Sequence, residues 1–154
     1  MDEKLALTDR ALELNREADR RAAVGRHSEA IALYRQALET QPDLELLYSK
    51  IITLYEQAGE LNQIALLRYQ QYSLRFSTAT ALDYYELGSQ FQHLDDLHRA
   101  EDCYRWAIAL DPGLARAYLR LGRSLVGQGK IRSALRWYFR AVLLKLRYKL
   151  GLLT

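Results

Sequence analysis

Arg116, Arg120 and Arg123 are spaced i, i+4 and i+7, so on a helix their three guanidinium groups point the same way. Such a row holds a carboxylate or a phosphate through paired hydrogen bonds. The competing reading is a solvated basic face neutralised by acidic residues of the preceding helices. The row opens a larger asymmetry. After Asp111 there is no Asp or Glu, and ten Lys and Arg residues follow, which leaves 12 basic and 19 acidic residues before that point. The last 43 residues therefore carry +10 and the first 111 carry −7, although the whole chain carries only +3. A basic end of this kind meets an acidic protein, an anionic membrane or nucleic acid.

Other chemistry is thinly represented. His93, Asp95, Asp96 and His98 gather in one stretch, but their spacing across an expected turn has no second cluster or cysteine motif beside it, and turn polarity accounts for them. Cys103 has no base in a recognisable motif and reads as a partly buried thiol. Phosphate-binding glycine loops, zinc-protease signatures and paired carboxylates do not stand out. The expectation is a protein that is not an enzyme and has no cofactor and no metal.

The elements that must position these residues follow from length and periodicity. At 154 residues, 49% hydrophobic and 27% charged, the chain suits one globular domain. Its start, Met1-Asp2-Glu3-Lys4, is unlike a secretory signal, and no stretch has the length of a membrane-spanning helix. One cysteine rules out an internal disulfide framework, so the cytoplasm, or the cytoplasmic side of a membrane, is the expected location.

A pattern occurs twice between Ala81 and Leu146, displaced by 34 positions. Its first copy is Tyr84-x-x-Leu87-Gly88-x-x-Phe91, then Ala100-x-x-x-Tyr104-x-x-Ala107 and Pro112. The second is Tyr118-x-x-Leu121-Gly122-x-x-Leu125, then Ala134-x-x-x-Tyr138-x-x-Ala141, with Leu146 in the proline's place. Large residues at i, i+3 and i+7 make an apolar stripe, and a glycine beside it costs about 1 kcal/mol against alanine. That cost has a reason if a neighbouring helix comes too close for a side chain, with Tyr104 or Tyr138 filling the gap. Each copy then predicts an antiparallel helix pair, closed in the first by Asp111-Pro112. Pairs that cannot bury their own faces must stack.

This pattern resembles the tetratricopeptide repeat (TPR). The resemblance implies an all-α fold, a right-handed superhelical solenoid of antiparallel helix pairs with about four repeats, over residues 11–44, 45–80, 81–114 and 115–148 of a single domain. In the first, Ala18 takes the glycine's place, Gly25 the turn, and Ala30, Tyr34, Ala37 and Pro42 the second helix. Glu17 and Arg21 stand where apolar residues are expected, as suits a terminal repeat. Thr8 before Asp9 reads as a helix cap, although Leu5 and Leu7 could carry the helix further back. The second repeat is degenerate. Its second helix, Leu61 to about Arg75, fits the small-large pattern only with Ala65, Tyr69 and Tyr72 slipped by one residue, and no proline closes it. Ser77 to Thr80 then inserts about two residues, with an altered stacking angle expected there and Thr80 as the next cap. The last helix, from about Ile131, outruns the period.

In the family, the first helix of each repeat lines a concave groove that takes partner peptides. The resemblance carries that role to Asn15, Asp19 and Ala22; to Ser49, Lys50, Thr53 and Glu56; to Tyr85, Glu86, Ser89 and Gln92; and to Arg116, Leu119, Arg120 and Arg123. The chaperone-tail binders of the family use a carboxylate clamp, of which this chain keeps only the basic pair Arg116 and Arg120. A second candidate surface is the C-terminal helix, with Arg136, Trp137, Arg140, Leu144 and Tyr148. There the stripe Trp137, Ala141, Leu144, Tyr148 has no following repeat to cover it. The function expected is a protein-protein interaction scaffold or assembly adaptor. Peripheral association with an anionic membrane or membrane-protein complex is the alternative, nucleic-acid binding comes third, and a homodimer through the last helix is a further way to cover its apolar side.

Overall fold

Helix breaks at Gly25, Gly59 and Gly129 and after Thr40, Tyr72, His93 and Leu110 divide the chain into eight helices among the described residues. The structure, a computed structural model, describes residues 2–74 and 78–151, with side chains from Thr8 onward. The helices are α1 (Asp2–Ala23), α2 (His27–Thr40), α3 (Glu45–Ala58), α4 (Leu61–Tyr72), α5 (Ala81–His93), α6 (Leu97–Leu110), α7 (Ala115–Gly127) and α8 (Ile131–Lys149). They group into two compact units, Met1–Ser77 and Thr78–Thr154. In the first, α1 packs on α2, α2 on α3 and α3 on α4. In the second, α5 packs on α6, α6 on α7 and α7 on α8. This is the all-α helical repeat that the 34-residue pattern predicts.

The glycines of the pattern stand where helices touch. A Cβ built on Gly88 would lie 2.8 Å from Cε1 of Tyr104, and one on Gly122 would lie 2.7 Å from Cε1 of Tyr138. Each tyrosine ring therefore occupies the volume that any other residue's side chain would need. Ala100, Ala107, Ala134 and Ala141 are fully or almost fully buried in the same seams. Cys103, also buried, has its thiol pushed up to about 12 by burial, with the charges of Asp102 and Asp96 adding to it.

In the first unit the α3–α4 pair departs from this plan. Ile52 stands at the glycine's place and Ile64 at the alanine's, so both sides of the seam are large. Ile64, Ala65 and Leu67 are the residues of α4 that become buried, while Tyr69 and Tyr72 stay half-buried. The helix ends at Tyr72 with Ser73 as its cap, and the expected continuation toward Arg75 lies outside the described residues. α1 runs through Thr8 and Asp9 without a break, so no cap forms there. The competing expectation of a helix carried back past Leu7 is the one realised in the backbone. Glu17 and Arg21, out of place as apolar positions, form an ion-pair chain from α1 to Glu29 on α2 (2.8 and 2.9 Å).

The local signals mostly act as their chemistry requires. Thr80 and Asp83 cap α5 reciprocally, the Thr80 backbone N–H donating to Asp83 Oδ2 (2.7 Å) and the Asp83 N–H to Thr80 Oγ1 (3.3 Å). The four turns inside the hairpins share one left-handed residue, Gly25, Gly59, Asp95 and Gly129, and only Asp95 enters that region with a side chain (φ 59°). Between α6 and the α7–α8 turn, Glu101 is 4% exposed and accepts from Gln128 Nε2 (2.8 Å) and Lys130 Nζ (3.1 Å), with Arg105 pairing its other oxygen (2.6 Å). Burial pushes this carboxyl up, but those hydrogen bonds and the charges of Arg105 and Lys130 outweigh it and hold the group below its usual range.

Candidate partner-binding site

Within the unit Thr78–Thr154, α5 and α7 present Tyr85, Ser89 and Gln92 beside Arg116, Arg120 and Arg123. Each trio is spaced i, i+4 and i+7 and so shares one helix face. The Arg116 guanidinium lies over the Tyr85 ring, 4.8 Å from its centroid. Arg120 donates to Gln92 Oε1 (3.4 Å), and the buried Tyr104 hydroxyl donates to the same oxygen (3.1 Å). Tyr104 stands against Tyr85 at 5.9 Å between centroids. Burial pushes its phenol up, opposed by the charge of Arg120, so it remains a protonated donor at any ordinary pH. Arg123 and Glu86 are exposed, and Leu119 is half-buried.

The arginines are oriented but not neutralised. The ion pairs of this unit run from Arg99 to Asp96 and from Arg105 and Lys130 to Glu101, and among the described residues none reaches Arg116, Arg120 or Arg123. The reading in which preceding helices neutralise the row does not hold for these three residues. A ring and a neutral amide hold two guanidinium groups side by side with their charge available. Planar donors in that arrangement suit a carboxylate or phosphate.

In the unit Met1–Ser77 the corresponding residues satisfy each other. Lys50 Nζ donates to Asn15 Oδ1 (2.9 Å) and to Asp19 Oδ1 (2.6 Å), and lies 5.4 Å from the centre of the Tyr34 ring. The Tyr34 hydroxyl donates to the same Asp19 oxygen (2.5 Å). Burial pushes the Asp19 carboxyl up, but the bonds from Lys50 and Tyr34 hold it below its ordinary value. Ser49 and Thr53 are exposed, the Thr53 hydroxyl turned back onto the Ser49 carbonyl (3.0 Å). Three of the residues expected in the groove, Asn15, Asp19 and Lys50, are thus brought together into a closed network.

On α8 the stripe expected to lie bare faces inward over most of its length. Ala141 is fully buried, Trp137 and Leu144 are half-buried, and Trp137 packs on Tyr118 of α7 at 5.7 Å between centroids. Only Tyr148, 79% exposed beyond the end of α7, stays outside. The reason is the seam itself: Ala134, Tyr138 and Ala141 must meet α7 around Gly122, and Trp137 and Leu144 lie next to them around the helix. The apolar residues of α8 that stand exposed are instead Ile131, Leu135, Phe139, Val142, Leu143 and Leu146, besides Tyr148. Arg136 and Arg140 are exposed, and Arg140 is 6.0 Å from the centre of the Trp137 ring.

The Tyr34 and Tyr104 hydroxyls take part in these networks although neither residue is among the expected site residues. Tyr34 and Tyr104 fill the same place in their repeats and were read as packing bulk, yet each reaches through the seam to a polar residue of the preceding helix. The signal was available, since a phenylalanine would pack as well and a buried phenol needs a partner.

No family model matches the sequence, and no curated protein matches it. Solved structures do. One of MamA is 27% identical with a TM-score of 0.52, over 83% of this chain and 74% of that one. Another, of MamA from residue 41 to the end, from Desulfovibrio magneticus RS-1, is 16% identical with a TM-score of 0.50, over 88% and 75%. YrrB, described as a TPR protein with an unusual peptide-binding site, is 19% identical with a TM-score of 0.51, over 87% and 68%. With its 34-residue pattern, the helix hairpins that pattern forms and the fold shared with these structures, the chain has the helical-repeat fold of the tetratricopeptide-repeat proteins.

Proposed function

We propose that the chain is a non-catalytic interaction scaffold that takes an acidic segment of a partner protein on the α5–α7 face. The observation that carries this reading is the pair Arg116 and Arg120, oriented by Tyr85 and Gln92 and paired with no carboxylate. A carboxylate side chain or a chain terminus would accept from both guanidinium groups, and the Tyr85 ring would border an apolar neighbour in the bound segment. The resemblance to YrrB adds support, since that TPR protein is described by a peptide-binding site. Among the described residues no helix is long and apolar enough to cross a membrane.

The test is an array of acidic and neutral peptides probed with the intact chain, with fluorescence anisotropy on the hits. Binding of an acidic peptide that weakens with salt and is lost in Arg120→Glu and Tyr85→Ala supports the reading. Hits indifferent to both substitutions, or none, end it. Anionic vesicles and single-stranded RNA in the same assay separate it from those two charge-matched alternatives.

A further inference from the structure

The interior helix α6 indicates how the outward face of α8 is to be covered. On α6, Leu97 lies against α7 so closely that a Cβ on Gly127 would come within 2.5 Å of its Cδ1. One turn on, Glu101 is buried under Gln128 and Lys130. Thirty-four residues later the same two places on α8 hold Ile131 and Leu135, which are 51% and 62% exposed. Ile108, half-buried, corresponds to Val142, half of whose surface is open. The side of α6 that meets a helix is, on α8, apolar and bare. Leu135 in place of Glu101 removes the one charged residue from it, and Phe139 in place of Arg105 extends it.

The flanks are charged with one sign. At 100° per residue, Arg132, Arg136, Arg140 and Arg147 run along one edge of the apolar strip, and Lys145 and Lys149 lie along the other. No acidic residue follows Asp111 to neutralise them. A second copy's α8 laid on this face would bring two arginine rows together, so the charge disfavours a symmetric pair.

We propose that the Ile131–Leu135–Phe139–Val142 face of α8 docks an acidic amphipathic helix of a partner protein in the register in which α7 covers α6. A small residue of that helix would sit opposite Ile131, as Gly127 sits opposite Leu97, and its carboxylates would meet Arg132, Arg136 and Arg140. This surface is separate from the α5–α7 face, and the inference does not rest on that reading.

The probe is a labelled synthetic peptide of about 18 residues, roughly five turns, with Ala, Leu, Ser and Gly at the spacing of Ala117, Leu121, Ser124 and Gly127 and glutamate elsewhere. Titrated with the intact chain, it binds saturably, and Leu135→Glu weakens it about tenfold or more by removing apolar contact and adding like charge. A lysine-for-glutamate version does not bind, and Arg120→Glu leaves the affinity unchanged, which distinguishes this site from the α5–α7 face. Leu135 is exposed, so the variant folds, as circular dichroism verifies. Absence of binding, binding untouched by Leu135→Glu, or equal binding of the lysine peptide overturns the proposal. So does a Leu135-dependent dimer in sedimentation, or Leu135-dependent flotation with phosphatidylserine vesicles.

Discussion

Lys50 and Arg120 occupy the same place in their repeats, seventy residues apart, and end in opposite circumstances. Around Lys50 stand Asn15 and Asp19, which take its charge at 2.9 and 2.6 Å. Around Arg120 the same two places hold Tyr85 and Ser89, and Arg120 donates to the neutral amide of Gln92. One unit uses the position to tie two helices together, and the other leaves a cation facing outward. The difference lies in two residues of a neighbouring helix rather than in the cation. A basic residue at one place of the repeat can therefore be tied into a structural ion pair or left open, depending on what the neighbouring helix puts beside it.

The comparison breaks most sharply at Arg120. Arg120→Glu removes a charge-assisted contact and adds repulsion, worth about 2–3 kcal/mol or roughly 30- to 150-fold in affinity for an acidic peptide, read by anisotropy. Next comes Ser89→Asp, which places a carboxylate where Asp19 stands in the other unit. It is expected to pair with Arg120 and weaken the same peptide about tenfold while leaving thermal stability nearly unchanged. A loss in melting temperature comparable to that of a core substitution would show that Ser89 serves packing instead.

Glu101 sharpens the contrast from the other side, as a buried carboxylate that this unit keeps neutralised. Its pKa is lowered from the ordinary value of 4.5, so its stabilisation is fully present above that value and fades as pH falls through the lower folded one. Glu101→Gln should cost about 1–2 kcal/mol at neutral pH, and the gap from the parent should close in acid. Denaturant titrations at several pH values test this, and a gap that stays constant into acid contradicts it. The smallest effect is expected at Asp95, the one left-handed turn residue with a side chain. Asp95→Gly should stabilise the chain by about 0.5–1 kcal/mol, seen as a modest rise in the melting temperature.

The fold was legible because its determinants are local or periodic. Gly88 and Tyr104, or Gly122 and Tyr138, are a hole and the ring that fills it, and a 34-residue displacement reveals both members at once. Thr80 and Asp83 sit three apart and cap a helix through short-range bonds. The candidate site was half legible. The arginine row follows from helical spacing alone. That Lys50 would be consumed by Asn15 and Asp19 while Arg120 would not depends on which places of adjacent repeats touch, and spacing within one helix does not contain that. The facing of α8 was misread for a related reason. Trp137, Ala141 and Leu144 form as good a stripe as Leu135, Phe139 and Leu146, and only the fit of Ala134 and Ala141 against α7 decides which of them turns inward. At Thr8 a weak capping preference gave way to continued helix.

The buried thiol of Cys103 makes the second unit self-reporting. With its pKa pushed up to about 12 by burial and no solvent access, it is almost wholly in the unreactive protonated form at neutral pH. An alkylating reagent can reach it only when the packing around α6 opens, so the rate of labelling counts those openings directly. A bound peptide that ties α5 to α7 should slow this clock, and one seated on α8 should leave it running at its own pace.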